Sequence, residues 1–186
     1  MNTDLFVAPD AWPSSFCDEI REAMNRGDAG SAEILDADIF VDESVRHALD
    51  ITVSGDVLAR VEHALEQMRR QISEHFALTL SGSVGVTFLR YGAGGRYRRH
   101  CDRDPRPGSG TEDRRLSILM WLNTASTDHG RGDFTSGTLV LFPPHRDDAI
   151  EVIPVAGTLV AFPSEWPHEV RTVIGGTRDV VVDWWT

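Results

Sequence analysis

The sequence predicts a mainly β protein, a double-stranded β-helix (jelly roll) with N-terminal supporting α-helices. Two observations predict it. Apolar residues recur every three or four positions as far as Phe76, and from Ser83 onward the pattern changes to short strand-like runs broken by Gly and Pro. Eight such runs suit the jelly roll, whose open ends let a site lie inside the sandwich and still be reached. The chain of 186 residues, 41% apolar and 25% charged, is long enough for one substantial core. It is therefore read as a single domain, 1–186, with a helical support region over 1–82 and the β-helix core over 83–186.

In chain order, Phe16, Ile20, Ala23 and Met24 share one helical face behind candidate caps at Ser14 or Ser15, and Gly27 is placed to end that helix. Val57, Val61, Leu65, Met68, Ile72 and Phe76 form a second helical repeat behind Asp56, an effective N-cap. Between them, Ile34 to Val53 mixes apolar runs with Asp36, Asp38, Asp42 and Asp50 and takes no assignment. The strands are expected at about 84–90, 96–102, 115–122, 138–142, 150–153, 158–162, 168–173 and 178–185. Two polar, glycine-bearing loops, 103–113 and 124–136, are long enough to be candidate lids. His129, in the second, reads as a solvated loop residue and not as a ligand.

Chemistry concentrates in Y-G-A-G-G-R-Y-R-R-H-C-D, residues 91–102. On a strand, His100 and Asp102 point to one face, roughly 7 Å apart, while Cys101 points away. One cation could take both. A second histidine, His168, stands in W-P-H-E-V, and Arg178 follows in T-R-D-V-V-V-D-W-W. Two His and one carboxylate leave open positions on an octahedral metal, as non-haem Fe(II) oxygenases require. Structural zinc would close its shell with four protein ligands. Cys17 and Cys101 stand far apart without a C-x-x-C, which excludes a sulfur-rich site, and H-E-x-x-H is absent. On residue type alone, a catalytic zinc with two His and a carboxylate stays open.

Residues from about Tyr91 to Trp184 resemble the 2-oxoglutarate and Fe(II)-dependent dioxygenases, in their prolyl 4-hydroxylase-like branch. Several motifs carry the resemblance in order. Arg90-Tyr91-Gly92 and Tyr97 precede His100-x-Asp102, and Arg115-Leu116-Ser117 leads a strand ending Trp121-Leu122-Asn123. Gly137-x-Leu139 opens the next strand. Gly157-Thr158-Leu159 then leads to Phe162-Pro163, His168-Glu169-Val170, Arg178 and Trp184. The resemblance implies that His100, Asp102 and His168 bind Fe(II). It implies that Arg178 binds the distal carboxylate of 2-oxoglutarate, with Tyr91, Ser117 and Trp121 as further co-substrate contacts. A guanidinium suits that role, because it offers a carboxylate two parallel charge-assisted hydrogen bonds. Trp121 departs from the pattern, since relatives often carry tyrosine there.

The implied activity is hydroxylation of a C–H bond with O2, giving succinate and CO2 as co-products. A prolyl residue, a free amino acid and a small metabolite all fit as substrate. Two other readings share these residues: a nucleic-acid demethylase of the same superfamily and a non-catalytic cupin-like metal or ligand sensor. The net charge of −11 argues against nonspecific binding to nucleic acid or membrane surfaces, which need a positive field. All 18 basic residues are arginine, so Schiff-base chemistry is excluded. Eight of them, Arg90, Arg96, Arg98, Arg99, Arg103, Arg106, Arg114 and Arg115, crowd the metal motif. Two cysteines, no long apolar run and no signal-peptide pattern lead to the expectation of a cytoplasmic protein.

A parity argument bears on the site. Were 168–173 and 178–185 a hairpin about a two-residue Gly175-Gly176 turn, His168 would oppose Asp183 and Arg178 would face away from His168. A shared site needs an odd-length turn, or the two strands in opposite sheets facing one interior. The jelly roll supplies the second. Arg178, Val180, Val182 and Trp184 then face inward, with Asp179 and Asp183 on the outer face.

Overall fold

The computed structural model describes residues 5–35, 39–126 and 133–186. The first part of the chain forms β1 (Phe6–Ala8), α1 (Ser14–Arg26), β2 (Asp28–Ser31), β3 (Ile34–Leu35), β4 (Ile39–Phe40), β5 (Arg46–His47) and β6 (Leu49–Thr52). Two helices follow, α2 (Gly55–Glu66) and α3 (Arg69–Phe76). The strands of the second part are β7 (Thr87–Tyr91), β8 (Arg96–His100), β9 (Leu116–Trp121), β10 (Ala125–Ser126), β11 (Phe134–Ser136) and β12 (Leu139–Leu141). After them come β13 (Ile150–Val152), β14 (Leu159–Pro163), β15 (His168–Val170), β16 (Val173–Gly176) and β17 (Arg178–Trp185).

A seven-stranded sheet in the order β1-β14-β9-β17-β7-β6-β2 faces a five-stranded sheet in the order β13-β12-β15-β8-β5. One apolar cluster fills the space between them, joining Leu89, Leu119, Val160, Phe162, Val180 and Val182 of the large sheet to Leu139, Leu141 and Val170 of the small one. A second cluster lies on the other face of the large sheet, where Ile118, Met120, Ala161, Val181 and Trp185 meet Ile20 and Met24 of α1, Val61 and Leu65 of α2 and Ile72 of α3. Strand alternation sends successive residues of β17 into the two clusters in turn. Both faces of the large sheet are therefore buried, as a jelly roll backed by helices requires.

The region 1–82 supplies three helices and, in addition, strands β1, β2 and β6, which extend the large sheet at both edges. The second helical repeat divides. Its N-cap is Ser54, with Asp56 inside the first turn, and the chain tightens at Gln67 and Met68, where Met68 N–H donates to Leu65 C=O at 2.9 Å. The apolar spacing runs through this bend unchanged, so periodicity does not register it. The run 168–173 also divides: β15 joins the five-stranded sheet, while β16 pairs with β11. β17 belongs to the seven-stranded sheet, so His168 and Arg178 come from opposite sheets. Asp179 and Asp183 face the helix layer and are each 1% exposed. Asp179 is held by Arg90 at 2.7 Å and Arg21 at 3.1 Å. Asp183 accepts bonds from Ser83 Oγ and the Trp185 indole N–H.

Of the candidate lid 124–136, residues 127–132, with His129, lie outside the described residues. Among the described residues, no helix is long and apolar enough to cross a membrane.

Gly27 ends α1 for a reason other than left-handed geometry. Its φ is −81°, but a Cβ there would lie 2.1 Å from Thr52 C=O on β6. Gly27→Ala should lower stability by about 1–3 kcal/mol, the usual cost of forcing extra volume into a packed site. Gly30→Ala, with nothing within 4 Å of its added Cβ, should stay near wild type. Urea unfolding of both variants checks the pair, and equal midpoints would contradict the packing argument.

Candidate active site

β8 and β15 run antiparallel with His100 and His168 as register partners, which sets the two imidazoles side by side, ring centroids 4.2 Å apart. Asp102 lies two residues past His100, where the chain is anchored by Asp102 N–H and Arg103 N–H donating to Ser164 C=O at 2.9 and 3.0 Å. His100 Nε2 is 3.4 Å from Asp102 Oδ1, and His168 Nε2 is 3.4 Å from Asp102 Oδ2. One ligand atom from each of the three lies within 4.8 Å of the others, a group that could hold one metal ion. Their side chains are 16%, 9% and 5% exposed, so bulk water competes weakly.

The surroundings orient these donors. His100 Nδ1 sits 2.8 Å from Arg98 C=O and His168 Nδ1 2.9 Å from Trp166 C=O. A carbonyl only accepts, so both Nδ1 atoms carry hydrogen and each Nε2 is left as a ligand. Tyr97 stacks on His100 with centroids 3.5 Å apart, and Phe162 meets His168 edge-on at 4.9 Å. Ser117 Oγ donates to Asp102 Oδ2 at 2.6 Å and lies 3.0 Å from Ser164 Oγ.

Burial and the neighbouring His168 push the His100 pKa down to about 4. Burial acts the same way on His168, but the charge and hydrogen bond of Asp102 outweigh it and raise its pKa. Burial would raise Asp102; the two histidines hold it well below the usual carboxylate range. The carboxylate is thus ionised and favours positive charge beside the two Nε2 atoms, the place where a divalent cation would sit.

Across the interior, Arg178 pairs with Tyr91 in register and is fully buried. Among the described residues its Nε, Nη1 and Nη2 have no hydrogen-bond partner, and its Cζ lies 5.0 Å from the Tyr91 ring centroid. Burial lowers its pKa to about 10, so it remains charged at neutral pH. A buried cation without an acceptor is strongly unfavourable, and a bound carboxylate would relieve it. Trp121 Nε1 is a further buried donor without an acceptor. Asn123 holds the start of β17 on both sides of Arg178, donating to Thr177 C=O at 2.7 Å and accepting from Asp179 N–H at 3.0 Å. Gly137, at φ +72°, leaves the space that Arg178 Cδ occupies: an added Cβ would approach Arg178 Cδ, Phe134 and Val173 at 3.1 Å each.

The structure thus gathers His100, Asp102 and His168 and sets Arg178 beside Tyr91. Ser117 donates its hydroxyl to Asp102, because Ser117, Leu119 and Trp121 share one face of β9 and Ser117 is at its triad-proximal end. Asn123, Gly137 and Ser164 support the site unforeseen. Asn123 and Gly137 stand within quoted motifs, whereas nothing in F-P-S marks Ser164. Of the eight crowded arginines, Arg114 reaches Asp102, donating to its C=O at 3.2 Å, while Arg90 turns to Asp179 on the helix side. Asp102 borders a pocket of about 200 Å³ whose walls include Tyr97, Arg114 and Trp184. A larger one of about 450 Å³ opens beside His100, between Tyr97 and the 103–111 loop.

Residues 86–186, more than half of the chain, match the family model described as the 2OG-Fe(II) oxygenase superfamily. A PKHD-type hydroxylase of Picosynechococcus sp. is 32% identical over 126 residues, 65% of this chain and 52% of the relative. One of Acaryochloris marina is 31% identical over 100 residues, 53% of this chain and 40% of the relative. The chain thus spans about half the length of the curated relatives it matches. In fold it resembles a Pseudomonas putida prolyl-4-hydroxylase, with TM-score 0.75, 24% identity and coverage of 98% and 91% of the two chains. It also resembles a Trichoplax adhaerens prolyl hydroxylase solved with a hypoxia inducible factor peptide fragment, with TM-score 0.79, 17% identity and coverage of 98% and 83%. The motif order, the clustered His100, Asp102 and His168, and a matched stretch that contains all of them lead to one conclusion: this chain belongs to the 2OG-Fe(II) oxygenase superfamily.

Proposed function

We propose that this chain is an Fe(II)- and 2-oxoglutarate-dependent hydroxylase. In this reading His100, Asp102 and His168 hold the metal, and Arg178 binds the distal carboxylate of 2-oxoglutarate. The observation that carries it is the fully buried Arg178 guanidinium, with no acceptor among the described residues, placed inside the same sandwich as the triad. The superfamily's cofactors are Fe(II) and 2-oxoglutarate, and the residues present fit both.

Each residue then has a physical task. Arg98 and Trp166 carbonyls fix the imidazoles so that both Nε2 atoms aim at one point. Ser117 holds Asp102 Oδ2, which leaves Oδ1 as the better-placed metal ligand. Arg178 and the Trp121 indole N–H offer donors to the distal carboxylate, and the Tyr91 ring packs beside the guanidinium. When bound, Fe(II) supplies the O2 chemistry that couples 2-oxoglutarate decarboxylation to hydroxylation. One oxygen atom goes to the substrate C–H bond and the other to succinate, with release of CO2. A prolyl residue, a free amino acid or a small metabolite would enter through the pocket bordering Asp102.

Asp102→Ala should retain the fold and lose the metal, because two neutral imidazoles alone hold a divalent ion poorly. Mn(II) titration with circular dichroism checks this, and wild-type Mn(II) affinity in the variant would reject the triad.

Arg178→Met should act oppositely on stability and on co-substrate binding. A base whose folded pKa lies below its unfolded value costs stability at every pH below the folded pKa, here about 10, and the cost fades as pH rises past it. Replacing the cation by an apolar side chain should therefore stabilise the metal-free protein by about 1–4 kcal/mol at neutral pH. The thermal stabilisation that 2-oxoglutarate gives the Mn(II)-loaded protein should vanish. Denaturant unfolding and a 2-oxoglutarate thermal-shift series read the two effects; a destabilised variant that still responds to 2-oxoglutarate would reject the role.

A further inference from the structure

The pocket of about 200 Å³ bordering Asp102 is walled by four charged side chains from outside the triad: Arg46 and Arg114, Glu33 and Asp50. Among the described residues, none of the four makes a side-chain ion pair. Arg46 donates through Nη1 to Glu33 C=O and lies 4.8 Å from the Tyr97 ring centroid. Arg114 donates through Nη1 to Asp102 C=O and lies 3.9 Å from the Trp184 ring centroid. The Nε of each arginine and the Trp184 Nε1 are buried without an acceptor. The walls of one small pocket therefore combine two guanidiniums and an indole with the carboxylates of two exposed residues, Glu33 and Asp50.

From this arrangement we infer that the pocket takes a small zwitterion, a free α-amino acid, with its carboxylate toward Arg46, Arg114 and Trp184 and its ammonium toward Asp50 and Glu33. The inference rests on the proposed function, since it is Asp102 that brings the pocket to the metal. Charge balance supports the choice. A simple anion would face the like charges of Glu33 and Asp50, and a simple cation those of Arg46 and Arg114, whereas a zwitterion answers both sets. A residue inside a peptide has neither charge, so its amides would displace the water from four ionic groups without replacing the interaction. Arg46, Glu33 and Asp50 come from the N-terminal region, outside the matched stretch 86–186.

The test uses the full chain loaded with Mn(II) and 2-oxoglutarate, which binds without turnover. Calorimetry is run with the standard amino acids, then with the carboxamide and the N-acetyl derivative of the best binder, and with a proline-containing peptide capped at both ends. At least one free amino acid should bind, and each capped derivative should bind about tenfold more weakly or worse, a difference of about 1.4 kcal/mol. Arg46→Met should erase the preference for the free carboxylate, and Asp50→Asn that for the free ammonium. Tighter binding by the capped peptide would overturn the inference. So would the absence of any amino-acid binding to a protein that takes up Mn(II) and 2-oxoglutarate. Failure to take up Mn(II) and 2-oxoglutarate would instead overturn the functional reading on which it rests.

Discussion

A charged guanidinium enclosed in an apolar interior, with no acceptor among the described residues, is the constraint around which this structure is arranged. Arg178 begins β17, and the next residue, Asp179, could have neutralised it. Strand alternation sends that carboxylate to the opposite face, where Arg90 and Arg21 bind it and tie α1 to the large sheet. Asn123 fixes the backbone on either side, and Gly137 leaves room for the side chain. The protein thus holds the cation in place without a protein acceptor among the described residues, the arrangement that the proposed co-substrate site requires.

The same economy of geometry explains why two sheets are needed. The triad sits at the meeting of β8 and β15 in the small sheet, and Arg178 sits on β17 in the large one. A single hairpin would have turned Arg178 away from His168. Facing sheets let the triad and the guanidinium look into one interior, where the proposed co-substrate would lie between them. The helices contribute by burying the far face of the large sheet, so that β17 is packed on both sides. A rigid strand positions a charged side chain better than a loop does.

Much of this was legible in the residues, for identifiable reasons. The alternation of Arg178, Val180 and Val182 is a local property of a strand, so it survives folding unchanged, whereas β8 ends at His100 and Asp102 lies in the bend beyond it. The site's ligands are polar residues whose chemistry is strong enough to stand out of a chain. What was not legible depends on approach between distant segments. Gly27 matters because β6 passes over it, a fact absent from its own neighbourhood in sequence. The hydrogen bond from Ser117 to Asp102 likewise depends on Ser117 standing at the triad-proximal end of β9, and no local pattern distinguishes the two ends of a strand face. The break between α2 and α3 escapes because the apolar spacing is continuous across it.

The central claim, that the triad and Arg178 jointly hold one 2-oxo dicarboxylate, is tested most directly by anaerobic visible spectroscopy of the Fe(II)-loaded protein. Chelation of iron by a 2-oxo acid produces a metal-to-ligand charge-transfer band, and Arg178 should make its appearance depend on the distal carboxylate. The account predicts a saturable band with 2-oxoglutarate, and with pyruvate, which lacks the distal carboxylate, a band that needs far higher concentration. No band with 2-oxoglutarate, or the same concentration dependence for both acids, would contradict it.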